Sequence, residues 1–244
     1  MRLSLISLII CAAAAAPAAA GAAEPVRPAG DTSALRTERL SDEHTVTRWA
    51  NPNLRSKVLR RPQPGAPAVA RLHLTTEEGL PEVYLVLRSR LDSAGRLWLK
   101  VRVPMRPAGR SGWVPRDALG ALHTVTTQLR VSRNALRATL YRGGRRVWSS
   151  PIGVGKPSTP TPAGRFWVRT KLRSLGRMYG PWAFGTSAYS VLTDWPGGGV
   201  VGIHGTDEPQ RLPGRVSHGC VRVPNPAIAR LARLLPIGTP VQIT

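Results

Sequence analysis

The chain has 244 residues, 42% of them hydrophobic, enough to build a core for one large domain or two ordinary ones and too much for wholesale disorder. Lys+Arg 35 against Asp+Glu 13 gives a formal net charge of +22, and Gly 24 with Pro 23 makes the chain turn-rich, which argues against a helix bundle or coiled coil.

Arg2 is followed by an uncharged run from Leu3 to Ala23, aliphatic early and small late, with Pro17 and cleavage-like Ala/Gly triplets at its end. This pattern reads as a secretory signal peptide over residues 1–23. The run is long enough to span a bilayer, so an uncleaved anchor is the alternative, but its alanine-rich, proline-interrupted second half favours cleavage. Lipidation at Cys11 is set aside because Ile9 and Ile10 precede that residue. Export decides which polyanion a basic protein meets. Nucleic acid is then not an expected partner, whereas anionic wall polymers, lipid head groups and peptide carboxylates are. Cys11 departs with the leader and leaves Cys220 as the single thiol, so no intramolecular disulfide is expected. A lone exported cysteine is either a reactive thiol or a buried inert one.

Residues 24–41 mix Pro, Gly, Ser, Thr and charge without an apolar period and read as a linker. From 42 to 122, short β-type runs (Thr45–Trp49, Glu82–Leu87, Trp98–Val103) alternate with Pro/Gly turns, as in a small β-barrel or sandwich. Within them Gly95-Arg-Leu-Trp98-Leu-Lys100-Val101 and Gly112-Trp113-Val114-Pro115, followed by the helical turn Arg116–Leu119, resemble the bacterial relatives of the Src-homology-three fold. Trp98 and Trp113 are expected in its core.

Residues 123–244 open with alternating strands at Gln128–Ser132 and Arg137–Tyr141, and Gly143-Gly144 turns the chain into Arg145–Trp148. Asn225 is expected to cap a single C-terminal helix that buries Ile228, Leu231 and Leu235 and stops at Pro236.

The segment 201–223 gathers His204, His218, four glycines and Cys220. A thiol becomes an efficient nucleophile when an imidazole takes its proton, and nearby backbone N–H groups can hold the oxyanion of an attacked carbonyl. The base is ambiguous on chemistry alone. His218 lies two residues from Cys220, on the same face if the strand is extended, whereas His204 would need the chain to turn near Pro213 and Gly214. Two His and one Cys could also hold zinc, but the spacing matches no common zinc pattern, and no metal or other cofactor is expected.

Ile203-His204-Gly205-Thr206, followed by Ser217-His218-Gly219-Cys220-Val221-Arg222, resembles the signature of the L,D-transpeptidase catalytic domain, also called the YkuD domain. Thr161-Pro-Ala-Gly-Arg-Phe166 and Tyr179-Gly-Pro-Trp-Ala-Phe-Gly185 fit the same family, and the likeness covers residues 123–244. It implies a YkuD-type β-sandwich with Cys220 as nucleophile, His204 as base and the Gly205 carbonyl orienting that base. His218, Gly219 and Cys220 would line the oxyanion hole, and Ser217, Arg222 and Tyr179 would shape the pocket or bind substrate. Asp207 stands where relatives often carry asparagine. The implied substrate is the peptidoglycan stem peptide, cross-linked through its third residue with release of D-alanine, in the periplasm or cell wall of a bacterial envelope. Carbapenems are the implied inhibitors. The alternatives are carboxypeptidase action at the same site and a catalytically silent wall-binding module. A papain-like peptidase is disfavoured because His204 precedes Cys220. Oligomeric state is left open.

Overall fold

The computed structural model describes residues 37–173, 176–194 and 196–244. The expected signal peptide and most of the expected linker lie outside them. The expected linker ends in structure: β1 (Thr37–Arg39) pairs antiparallel with a later strand, Thr37 opposite Arg90. Backbone hydrogen bonds hold this edge segment, which is why no apolar alternation announced it.

β1 joins β2 (Thr47–Ala50), β3 (Lys57–Leu59), β4 (Ala68–Arg71), β5 (Tyr84–Leu91), β6 (Leu97–Arg102), β7 (Ser111–Pro115) and β8 (His123–Val125) in an eight-stranded sheet. Its order is β4-β3-β7-β6-β5-β2-β8, with β1 on β5. Inward residues of the central strands, among them Val58, Tyr84, Val86, Leu99, Val101 and Val114, form its core. Trp98 and Trp113 are buried as expected, packed with Leu59 and Ala66. The indole N–H of Trp98 donates to Asp92 Oδ2 at 2.9 Å, and the other carboxylate oxygen of Asp92 accepts the N–H groups of Ala94 and Arg96. One side chain thus closes the β5–β6 turn and satisfies the buried indole.

The second sheet contains β9 (Thr127–Ser132), β10 (Arg137–Arg142), β11 (Arg145–Pro151), β12 (Gly153–Gly155), β13 (Gly164–Arg173), β14 (Trp182–Tyr189), β15 (Val200–His204), β16 (Gly214–Ser217), β17 (Val221–Arg222) and, after the helix α1 (Asn225–Leu234), β18 (Pro240–Ile243). The order is β11-β10-β9-β18-β13-β14-β15-β17-β12-β16. Gly143 and Gly144 both have positive φ, as a two-residue hairpin turn requires. The mainly β expectation with one short C-terminal helix holds among the described residues. The helix buries Ile228, Leu231 and Ala232. Its cap differs from expectation: Pro224 occupies the N-cap position, and the Asn225 side chain accepts the N–H of Thr206 at 2.9 Å. A tertiary donor has taken the side-chain oxygen that a local cap would have used.

The two sheets meet in a shared joint. Trp167 packs with Val83 and Leu85, and its indole N–H donates to the Val83 carbonyl at 2.8 Å. Arg169, on β13, is buried and pairs with Glu82, with Nε 2.8 Å from Oε1, and with the carboxylate of Glu77 at 2.9 Å. A buried guanidinium is tolerated here because fixed carboxylates replace its water. Gly238, at positive φ, lies against the ring of Trp49, where a Cβ would collide. No helix among the described residues is long and apolar enough to cross a membrane.

Candidate active site

β15 and β17 run parallel, with Ile203 opposite Val221 and His204 opposite Arg222. This pairing brings together residues that the sequence separates, because Cys220 enters β17 beside Gly202. The Gly202 N–H donates to Cys220 Sγ at 3.3 Å. A Cβ placed on Gly202 would lie 3.7 Å from His204 Cδ2 and 3.8 Å from Cys220 Sγ, so imidazole and sulfur flank the same small space.

His204 is 4% exposed, and its Nδ1 lies 2.6 Å from the Gly205 carbonyl oxygen. A carbonyl only accepts, so Nδ1 carries the proton and Nε2 keeps its lone pair. Tyr179 meets the ring edge-on, with centroids 4.9 Å apart. Burial pushes the His204 pKa down from 6.5 to about 4; the Gly205 hydrogen bond opposes this and the Arg222 cation adds to it. Burial pushes the Cys220 thiol up, against the Gly202 N–H and the Arg222 charge. Both shifts favour the uncharged forms, a thiol and an imidazole.

Two hydroxyl side chains hold the turn before β17. The Ser217 hydroxyl donates to the Cys220 carbonyl at 2.5 Å and accepts the Gly219 N–H at 3.2 Å. Buried Thr161 donates to the Gly219 carbonyl at 2.8 Å and accepts the Gly155 N–H at 2.8 Å. Gly219 has φ +121°, and a Cβ there would crowd Ser190. That turn removes the extended geometry in which His218 and Cys220 would share a face. His218 is exposed and Cys220 partly buried. The Gly219 N–H, expected in the oxyanion hole, donates to the Ser217 hydroxyl.

Arg222 Nη1 lies 2.6 Å from Glu208, whose carboxylate also accepts from Arg211 at 2.8 Å. Both arginines hold the Glu208 carboxyl below its ordinary pKa. A cavity of about 160 Å³ collects Tyr179, His204, Ser217, His218, Cys220 and Arg222, six of the eight expected site residues, in its lining. Gly205 and Gly219 support it through the backbone.

Sequence reasoning missed Thr161, Glu208 and Asn225 as parts of this arrangement. Thr161 opens a motif already noted, but its partner lies 58 residues away. Glu208 follows the noted Asp207, and Asn225 offered only the signal of a helix start. Among the described residues, no group of three or more His, Cys, Asp or Glu is placed to hold a metal.

The family profile of the YkuD domain, the L,D-transpeptidase catalytic domain, matches residues 126–243. YkuD of Bacillus subtilis (strain 168) is 33% identical over 136 residues, which cover 56% of this chain and 76% of that protein. YkuD of Bacillus licheniformis is 34% identical over 121 residues, covering 50% and 67%. Among solved structures, a cysteine-to-serine mutant of the Enterococcus faecium L,D-transpeptidase is 28% identical with a TM-score of 0.40. That match covers 48% of this chain and 49% of the solved one, so the chain spans about half of that structure.

Proposed function

The chain belongs to the YkuD family of L,D-transpeptidase catalytic domains, and from that premise we propose that it is an exported cysteine acyltransferase that cross-links peptidoglycan stem peptides. Cys220 Sγ attacks the carbonyl carbon of the third stem residue while its proton passes to His204 Nε2. The tetrahedral oxyanion is held by the Cys220 amide at the turn before β17. The C–N bond then breaks, His204 returns the proton to the leaving amine, and D-alanine departs from a thioester. An amine of a neighbouring stem attacks that thioester, gives its proton to His204 and restores the thiol. Water in place of the amine makes the product a shortened stem, which is the carboxypeptidase outcome.

The observation that carries this reading is the buried, neutral His204, its Nδ1 fixed on Gly205 and its ring bordering the same space as Cys220 Sγ. A base must be unprotonated and aimed, and these features support that role for His204. Arg222, partly buried in the pocket and 2.6 Å from Glu208, is the cation for a stem carboxylate, which would share it with Glu208. The cationic excess of the chain fits retention on anionic wall polymers.

The test is intact mass after mixing with a carbapenem, in parallel with Cys220→Ala. One covalent adduct on the parent protein and none on the variant is expected. Absence of an adduct on both would favour a catalytically silent wall-binding module.

A further inference from the structure

His204 is aimed by a backbone carbonyl, and a carbonyl is only as well placed as its peptide plane. The carbonyl of Gly205 and the N–H of Thr206 belong to one planar unit and point to opposite sides of it. On one side the Gly205 oxygen meets His204 Nδ1 at 2.6 Å, and on the other the Thr206 N–H donates to Asn225 Oδ1 at 2.9 Å. Residue 205 is glycine, which by itself leaves that plane free to rotate. Asn225 removes the freedom.

The seat around Asn225 is close-packed. A Cβ on either Gly205 or Gly180 would collide with Asn225 Oδ1, and a Cβ on Gly205 would lie 2.9 Å from Gly180 Cα. Gly180 follows Tyr179, the ring that meets His204 edge-on. One amide oxygen therefore abuts both segments that flank the imidazole. Asn225 itself is the first residue of α1, whose buried face (Ile228, Leu231) is anchored in the core. The helix supplies a rigid post, and the side chain projects from it to the loop after β15.

We propose that Asn225 is a positioning residue for the base: by holding the Gly205–Thr206 peptide plane it fixes the Nδ1-protonated tautomer and the orientation of His204. Asn225 touches no reacting atom and acts through the peptide. This proposal rests on the reading of His204 as the base, but the tautomer it predicts can be measured without any turnover.

Three measurements on the full chain test it. In ¹⁵N-histidine-labelled protein, with the His204 signals assigned by comparison with His204→Gln, the parent ring is expected as a single Nδ1–H tautomer at neutral pH. Asn225→Ala is expected to mix the tautomers, and Asn225→Asp, which keeps an acceptor oxygen at the same reach, to restore the single one. Carbapenem acylation followed by mass should slow by about 10- to 100-fold in Asn225→Ala, the scale of a displaced catalytic group, and recover substantially in Asn225→Asp. A single Nδ1–H tautomer persisting in folded Asn225→Ala would overturn the proposal, as would an Nε2–H tautomer in the parent. If the alanine variant fails to fold, the parent tautomer and the aspartate variant still decide, because loss of the single tautomer in Asn225→Asp would also overturn it. A parent protein with the predicted tautomer but no acylation would instead count against the acyltransfer reading while leaving the positioning role in place.

Discussion

Acidification should weaken this fold through one residue, and the size of the effect follows from the burial of His204. Its folded pKa lies near 4 against an ordinary 6.5, so between those values the unfolded chain binds a proton that the native state refuses. Stability is then complete above pH 6.5 and is lost as the pH falls toward 4. The full difference corresponds to about 3 kcal/mol, of which roughly 2.5 kcal/mol is gone by pH 4.5. Carboxylates titrate in the same window, so the clean measurement is a difference of differences. Urea unfolding of the parent and of His204→Gln at pH 7.5 and 4.5 isolates the histidine, because the amide has no proton to gain. The parent should lose roughly 2.5 kcal/mol more than the variant on acidification. A difference below about 0.5 kcal/mol would refute the argument that burial keeps the imidazole neutral. The catalytic counterpart is an acid limb of carbapenem acylation well below pH 6.5, since a base with a pKa near 4 stays unprotonated there.

Two further outcomes test how the rest of the molecule supports the site. Glu82→Ala leaves buried Arg169 with Glu77 as its remaining carboxylate partner, at a cost of about 3 kcal/mol, the lower end for a broken buried pair because the second carboxylate remains. Thermal unfolding should show a melting temperature lower by about 6–12 °C, and an unchanged one would mean that water reaches the guanidinium. Arg106, in the loop between β6 and β7, donates to the carbonyls of Ser190 at 2.9 Å and Gly198 at 3.0 Å and lies over the Tyr189 ring. Because Ser190 lines the cavity shared by His204 and Cys220, Arg106→Ala should raise KM for the proposed reaction, by up to about tenfold, more than it lowers kcat. Equal losses in both would place Arg106 outside pocket shaping.

What was legible beforehand was whatever depends on local order. The Gly143-Gly144 turn demands positive φ, the apolar positions 228 and 231 fall on one helical face, and Trp98 and Trp113 alternate inward on short strands. The chemical inventory of the site was legible for the same reason, since His204, Ser217, His218 and Cys220 crowd into one segment. What the chain could not declare were pairings between distant positions. Parallel registration of β15 with β17 sets Cys220 beside Gly202, and the left-handed turn at Gly219 breaks the extended geometry that would have kept His218 level with the thiol. The cap expected of Asn225 failed because an oxygen at a helix start has two possible donors, a local N–H or a tertiary one, and only packing decides between them. Arg169 was one arginine among many until Glu82, 87 residues earlier, closed on it. Local torsional preference and apolar period are properties of neighbouring residues, whereas the aim of a catalytic imidazole depends on which distant backbone group the folded chain brings to its other nitrogen.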